Sequence, residues 1–239
     1  NIVFLVLKTL DLTHQLADNE RDHTLLCIEE PEAHLHPHLQ RSVFQHYFEV
    51  LLAQQPALST ILTTHATHIA SVAPLQSILL LKGNKVMGTR GYSAAKLELA
   101  APDLEDMQRY LDVTRAEILF AKGVLLVEGD AEKHLIPVFA KNLGISLDHL
   151  GITVCSVSGT HFRSYVQLLK ALAIPYSVLT DWDPQNAGQP LAINRIRKLI
   201  FDIDSVIMQP QTRNDFKQSI NRYIENADYV TFKQIAHQY

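Results

Sequence analysis

The sequence predicts an α/β protein, and three observations carry that prediction. Short apolar runs of strand length alternate with longer segments whose apolar residues recur at helical spacing. Each run ends in polar or acidic residues, and ligand chemistry in open parallel sheets gathers at such carboxyl ends. The alternation occurs twice, on either side of a charged helical stretch, so two α/β modules are expected.

Composition allows this. The 239 residues are 47% hydrophobic and 19% charged, enough apolar material for one large core or two modest ones and too much for a disordered chain. The net charge of −4 disfavours a surface that is basic all over, although a local basic groove remains compatible with it. Cys27 and Cys155 lie in separate apolar runs and build no disulfide framework. No apolar run approaches the roughly 18 residues that span a bilayer, and no signal-peptide pattern opens the chain. A cytoplasmic protein with no membrane partner is expected. The chain opens at Asn1, without Met, in an apolar run (Ile2 to Leu7) that no N-cap precedes. A helix starting without its cap points to a cut through a longer protein.

Taken in order, Thr24 to Ile28 is an apolar run stopped by Glu29-Glu30-Pro31, and predicts a buried parallel strand. Pro37 to Gln54 predicts a helix, with Pro37 in its first turn and Leu39, Val43, Phe44, Tyr47, Phe48, Leu51 and Leu52 at helical spacing. Leu58 to Leu62 predicts a second strand, followed by Thr63-Thr64-His65. Gly83-Asn84 between Ser77–Leu81 and Lys85–Thr89 signals a hairpin. From Ser93 to about Arg115 the pattern is helical and charged, with Pro102 as an interruption. A second series follows: strand Val124–Val127, helix Ala131–Leu143, strand Ile152–Val157, helix Phe162–Ala173, strand Ser177–Thr180. Residues 186–239 are amphipathic and mostly helical in pattern, without a chemical motif.

The first acidic strand end, Leu25-Leu26-Cys27-Ile28-Glu29-Glu30-Pro31-Glu32, has the form that ATP hydrolysis requires. One carboxylate holds the water shell of Mg²⁺, and its neighbour orients or deprotonates the attacking water. A strand that merely ends in a solvated acidic turn is the alternative. With Ala33-His34-Leu35-His36-Pro37 and the later Thr63-Thr64-His65, the segment resembles ABC-type ATPases of the SMC and OLD (overcoming lysogenization defect) group. That resemblance implies a Walker B pair at Glu29 and Glu30, with Glu30 the catalytic carboxylate. It implies a D-loop near His36-Pro37 and a γ-phosphate switch histidine at His65. Glu29 stands where the family usually has Asp.

His34, His36 and His38 form an H-x-H-x-H run. A helix beginning near Pro37 would turn them away from one point, so a metal site is not expected there. No Gly-x₄-Gly-Lys-Ser/Thr loop is present; Gly83 to Gly88 continues into Thr89-Arg90 and fails. With the uncapped start, this predicts that the phosphate loop falls upstream of Asn1.

The second constellation is Val124-Leu125-Leu126-Val127-Glu128-Gly129-Asp130-Ala131-Glu132, followed later by Leu179-Thr180-Asp181-Trp182-Asp183. Clustered carboxylates repel unless a cation neutralises them, which predicts Mg²⁺ or Mn²⁺. Two such ions suit phosphodiester cleavage. Glu-Gly followed by Asp-x-Asp on a later strand resembles the Toprim domain of topoisomerases, primases and OLD-family nucleases. Glu132 and Val157-Ser158-Gly159-Thr160-His161-Phe162 fit the OLD-type version best. The resemblance implies metal ligation by Glu128, Glu132, Asp181 and Asp183, with Glu128 catalytic. Ser158 and Gly159 either offer a helix N-terminus to a phosphate or simply cap the following helix. The lysine that OLD-type Toprim domains carry late in the fold has no clear counterpart. Lys198, Lys217 and Lys233 are the candidates, unless the C-terminus is truncated as well.

The resemblance implies a C-terminal portion of an ABC-type ATPase domain over 1–92, a helical connector over 93–120, and a Rossmann-like, mostly parallel Toprim domain over 121–239. It implies a metal-dependent DNA endonuclease controlled by ATP with Mg²⁺, in anti-phage defence. ABC-type sites close between protomers, so a homodimer or larger assembly is implied, with room for a defence-system partner protein. A topoisomerase-like or primase-like Toprim protein is an alternative, although no separate domain with a nucleophilic tyrosine is evident. A non-catalytic assembly module is another.

Overall fold

The computed structural model describes residues 2–17, 23–33, 35–52, 58–84, 86, 88–97, 99–111, 115–159 and 161–181. It divides into two compact units, 1–123 with 168–174, and 124–167 with 175–239.

The first unit opens on helix α1 (Ile2–Ala17), followed by strand β1 (Thr24–Glu29). Helix α2 (Pro37–His46) starts where the sequence places it, because proline at the first turn gives up no hydrogen bond there. His36 caps it, its Nδ1 accepting from the His38 amide at 3.3 Å. The helix continues as a π-helical stretch over Tyr47–Leu52. Strand β2 (Leu58–Thr63) lies parallel to β1, with Thr24 opposite Leu58 and Glu29 opposite Thr63. Phe44, Tyr47 and Ile69 form a buried cluster, against which Leu26 and Ile28 of β1 and Leu62 of β2 pack. The aromatic rings meet at an edge or a tilt, with centroids 5.9–6.3 Å apart.

A strand buried on both faces was the expectation for β1. Burial instead alternates along it, and Leu25 and Cys27 are exposed. Period-two alternation places Leu26 and Ile28 on the opposite face from Leu25 and Cys27, so a single packed layer covers only half the run.

Helix α3 (Thr67–Ala70) follows β2, and Arg41 of α2 ties its end down by donating to Ser71 Oγ at 2.9 Å. Strands β3 (Leu79–Asn84) and β4 (Gly88–Ser93) form the expected antiparallel hairpin, but its turn is displaced. Gly83 pairs with Thr89 and Asn84 with Gly88, so Gly83-Asn84 belongs to the strand. Gly88 supplies the left-handed backbone (φ 72°) that the reversal needs. The Lys82 ammonium donates to the Ala173 carbonyl at 2.6 Å and lies 5.7 Å from the Tyr92 ring. Desolvation pushes the pKa of this lysine below the usual range. A short 3₁₀ turn (Ala94–Lys96) leads to helix α4 (Ala101–Tyr110). Pro102 sits in the first turn of α4, so it starts this helix where an interruption was expected.

The second unit is built on a sheet whose strands run in the order β6–β5–β7. Strand β5 (Gly123–Val127) leads into helix α5 (Asp130–Asn142), and the short α6 (Leu147–Leu150) precedes β6 (Ile152–Ser156). Helix α7 (Phe162–Ala171) then leads to β7 (Tyr176–Leu179). β5 is central, which explains why Val124, Leu126 and Val127 are all buried. β7 pairs with it in parallel, Val127 opposite Leu179. Gly151 stops α6 in the left-handed conformation (φ 68°). Residues 182–239 lie outside the described residues, with Asp183, Trp182 and the three late lysines; so does His34.

Candidate active site

Two strand ends gather the acids, one in each unit. In the first, the parallel register of β1 and β2 sets Glu29 opposite Thr63, so the residues following each strand are neighbours. Glu29 closes β1 with its side chain exposed. Glu30 takes a left-handed backbone (φ 39°), uncommon for a residue with a Cβ and costing about 1 kcal/mol. Its amide donates to the Thr63 carbonyl at 3.0 Å, which holds that conformation. The turn brings the Glu30 carboxylate to His65, whose Nε2 lies 3.3 Å from Glu30 Oε1. The His65 side chain is largely exposed and that of Glu30 about half exposed.

A third acid, to which sequence reasoning gave no role, organises this turn. Glu32 Oε1 accepts from the Thr64 hydroxyl and from the His65 amide, the latter at 3.2 Å. Thr64 Oγ1 in turn accepts from the Ala66 amide at 3.0 Å. Glu32 Oε2 is buried and has no hydrogen-bond partner among the described residues. In the H-x-H-x-H run, His36 caps the helix, its Nδ1 accepting a hydrogen bond from the His38 amide.

In the second unit, Glu128 follows β5 and Thr180-Asp181 follows β7. Glu128 Oε1 accepts from the Thr180 hydroxyl and from the Asp181 amide at 3.0 Å. The Glu128 carbonyl accepts from the Gly159 amide at 2.8 Å. Ser158 and Gly159 both hold positive φ (55° and 131°), and this turn folds the Ser158-Gly159 loop against the strand end. Of the four expected metal ligands, Glu128 and Asp181 are thus brought together. Glu132 is engaged one turn into α5, its Oε2 accepting from the Gly129 amide at 3.1 Å. That contact satisfies one of the unpaired donors at the helix start. Asp183 lies outside the described residues. Among the described residues no group of three His, Cys, Asp or Glu able to hold a metal is assembled. The contact that joins Glu128 to Asp181 runs through the Asp181 amide. Carboxylates of the kind these two residues carry are hard oxygen donors, a chemistry that suits a divalent cation of the Mg²⁺ or Mn²⁺ class.

The same device therefore occurs at both strand ends. A threonine hydroxyl and the next residue's amide converge on one carboxylate oxygen. Sequence reasoning missed Glu32, Thr64 and Thr180 in these roles. The available signal was a threonine directly after a strand that neighbours an acidic strand end. No helix among the described residues is long and apolar enough to cross a membrane.

Comparison with known proteins gives two family matches. Residues 119–183 match the family described as overcoming lysogenization defect protein-like, Toprim domain. Residues 1–70 match an AAA ATPase domain. The chain is 30% identical over 179 residues to the uncharacterized protein YbjD of Escherichia coli, covering 74% of this chain and 30% of that protein. It is 22% identical over 205 residues to endonuclease GajA of Bacillus cereus, covering 77% and 30%. With the OLD nuclease of Thermus scotoductus the identity is 30% over 164 residues, covering 66% and 30%. The matched region spans 30% of the length of each of these three relatives.

Proposed function

We propose, from the premise that this chain belongs to the OLD-like family of ATPase–Toprim proteins, that it is part of a divalent-metal-dependent DNA endonuclease. The enzyme nicks or cleaves DNA under control of the linked ATPase. The observation that carries this reading is the meeting of Glu128 and Asp181 at adjacent strand ends, where the Asp181 amide donates to Glu128 Oε1. Glu128 and Asp181, with Glu132 and Asp183, would hold Mg²⁺ or Mn²⁺. When bound, such an ion activates water and stabilises the leaving oxygen of a phosphodiester. The Thr180 hydroxyl and the Asp181 amide fix the Glu128 carboxylate, and the Ser158-Gly159 loop closes beside it.

In the ATPase unit, Glu30 would take the proton of the attacking water and His65 would contact the γ-phosphate. Their 3.3 Å approach supports assigning both to one catalytic group. Glu29 would hold the water shell of the nucleotide's Mg²⁺. The reading includes a phosphate-binding loop, a motif this sequence does not contain, and a site completed by two protomers, so a homodimer or larger assembly is part of it. A cytoplasmic role in anti-phage defence, with or without a partner protein, is part of the same reading.

The test is incubation of full-length protein with supercoiled plasmid and Mg²⁺ or Mn²⁺. Nicked or linear product is expected from the parent and not from Glu128→Ala. Cleavage at full rate by Glu128→Ala would refute the assignment.

A further inference from the structure

We infer that Thr180 is a positioning residue for Glu128, one that fixes the orientation of its carboxylate for metal ligation. The inference rests on the reading of Glu128 and Asp181 as a hydrolytic metal site. Parallel pairing of β5 and β7 puts Leu179 opposite Val127, so the next residues, Thr180 and Glu128, emerge side by side from the sheet. The Thr180 hydroxyl and the Asp181 amide both donate to Glu128 Oε1. Two hydrogen bonds converging on one carboxylate oxygen fix the plane of the group, so the orientation that Glu128 would offer a cation is set by the protein.

The terminal torsion of a glutamate is broad, and the Asp181 amide restrains that of Glu128 at one point. The hydroxyl supplies the second point that fixes it. The backbone of Glu128 is anchored independently, its carbonyl accepting from Gly159 at 2.8 Å. The equivalent arrangement of Thr64 and His65 on Glu32 in the other unit shows that a threonine following a parallel strand suits this task. Orienting partners of metal ligands typically govern about 10- to 100-fold in metal affinity or activity.

The experiment compares full-length parent, Thr180→Val, Thr180→Ala and Thr180→Ser, with Glu128→Ala as the site control. Mn²⁺ affinity is read by calorimetry without substrate, and plasmid cleavage is measured separately. Thr180→Val and Thr180→Ala, two hydroxyl-free variants of different bulk, are expected to weaken Mn²⁺ binding about 10-fold or more. Thr180→Ser, which keeps the hydroxyl, is expected to stay within about threefold of the parent. A purely structural role would lower the melting temperature without this dependence on the hydroxyl. Parent-like Mn²⁺ affinity in either hydroxyl-free variant, while Glu128→Ala loses binding, overturns the inference about Thr180 alone. Unchanged binding and cleavage in Glu128→Ala overturns the site reading itself.

Discussion

His65 Nε2 stands 3.3 Å from Glu30 Oε1, joining the residue that follows one strand to the residue that follows its parallel neighbour by two. Glu30→Gln keeps the size of the side chain and removes its ability to take a proton. ATP turnover by the full-length protein is expected to fall about 100-fold or more, with nucleotide binding retained. Phosphate release and a fluorescent-nucleotide titration measure the two quantities. Turnover within a few fold of the parent would remove Glu30 from the catalytic role.

Glu32 holds the segment that carries His65, through Thr64 and the His65 amide. Glu32→Ala frees that segment and leaves the Thr64 hydroxyl without its acceptor. The expected result is about a 10-fold loss of ATP turnover, from misplacement of His65. Glu32→Gln keeps an acceptor oxygen and should recover most of the rate. Equal defects in the two variants would mean that charge, and not the acceptor, is what Glu32 supplies.

Glu132 has a visible structural task and a proposed metal-binding one, and substitution separates them. Glu132→Gln still presents an oxygen to the Gly129 amide, so the melting temperature should hold, within about 0.5 kcal/mol of stability. Its Mn²⁺ affinity, read by calorimetry, should fall because a neutral amide replaces an anionic ligand. Glu132→Ala should lose affinity and about 1 kcal/mol of stability together. Unchanged affinity in both variants would leave Glu132 as a helix cap only.

Phe44 is fully buried between Tyr47, Phe48 and Ile69, on the layer that backs β1 and β2. Phe44→Ala removes a large side chain that rigid neighbours cannot replace. A loss of about 3–5 kcal/mol is expected by denaturant titration of the protein. A loss below about 1 kcal/mol would show that this layer collapses around the gap.

Much of the architecture was legible because apolar periodicity is a local property. The strands at Thr24–Glu29, Leu58–Thr63, Gly123–Val127 and Tyr176–Leu179 fall within two residues of their expected bounds. The departures share a cause. Pro102 breaks a helix when it lies inside one and starts a helix when it lies in the first turn, and the choice depends on where the neighbouring packing begins. Gly83-Asn84 carries turn residues, yet the pairing of Leu79 with Ser93 through Asn84 with Gly88 puts the reversal between Asn84 and Gly88. Cys27 and Leu25 are apolar in composition, but only a layer on their side would bury them.

The sequence by itself determined which residues end the strands: Glu29 and Glu30, Thr63 to His65, Glu128, and Thr180-Asp181. Those positions follow from apolar runs and the polar residues that stop them. Tertiary structure alone decided which of these ends touch. Parallel strands pair across long stretches of intervening chain, and their register is set by side-chain burial on a shared face. That register puts Thr64 on Glu32, His65 on Glu30 and Thr180 on Glu128. Hydrogen bonds of this kind act only over about 3 Å, so no spacing along the chain could have announced them.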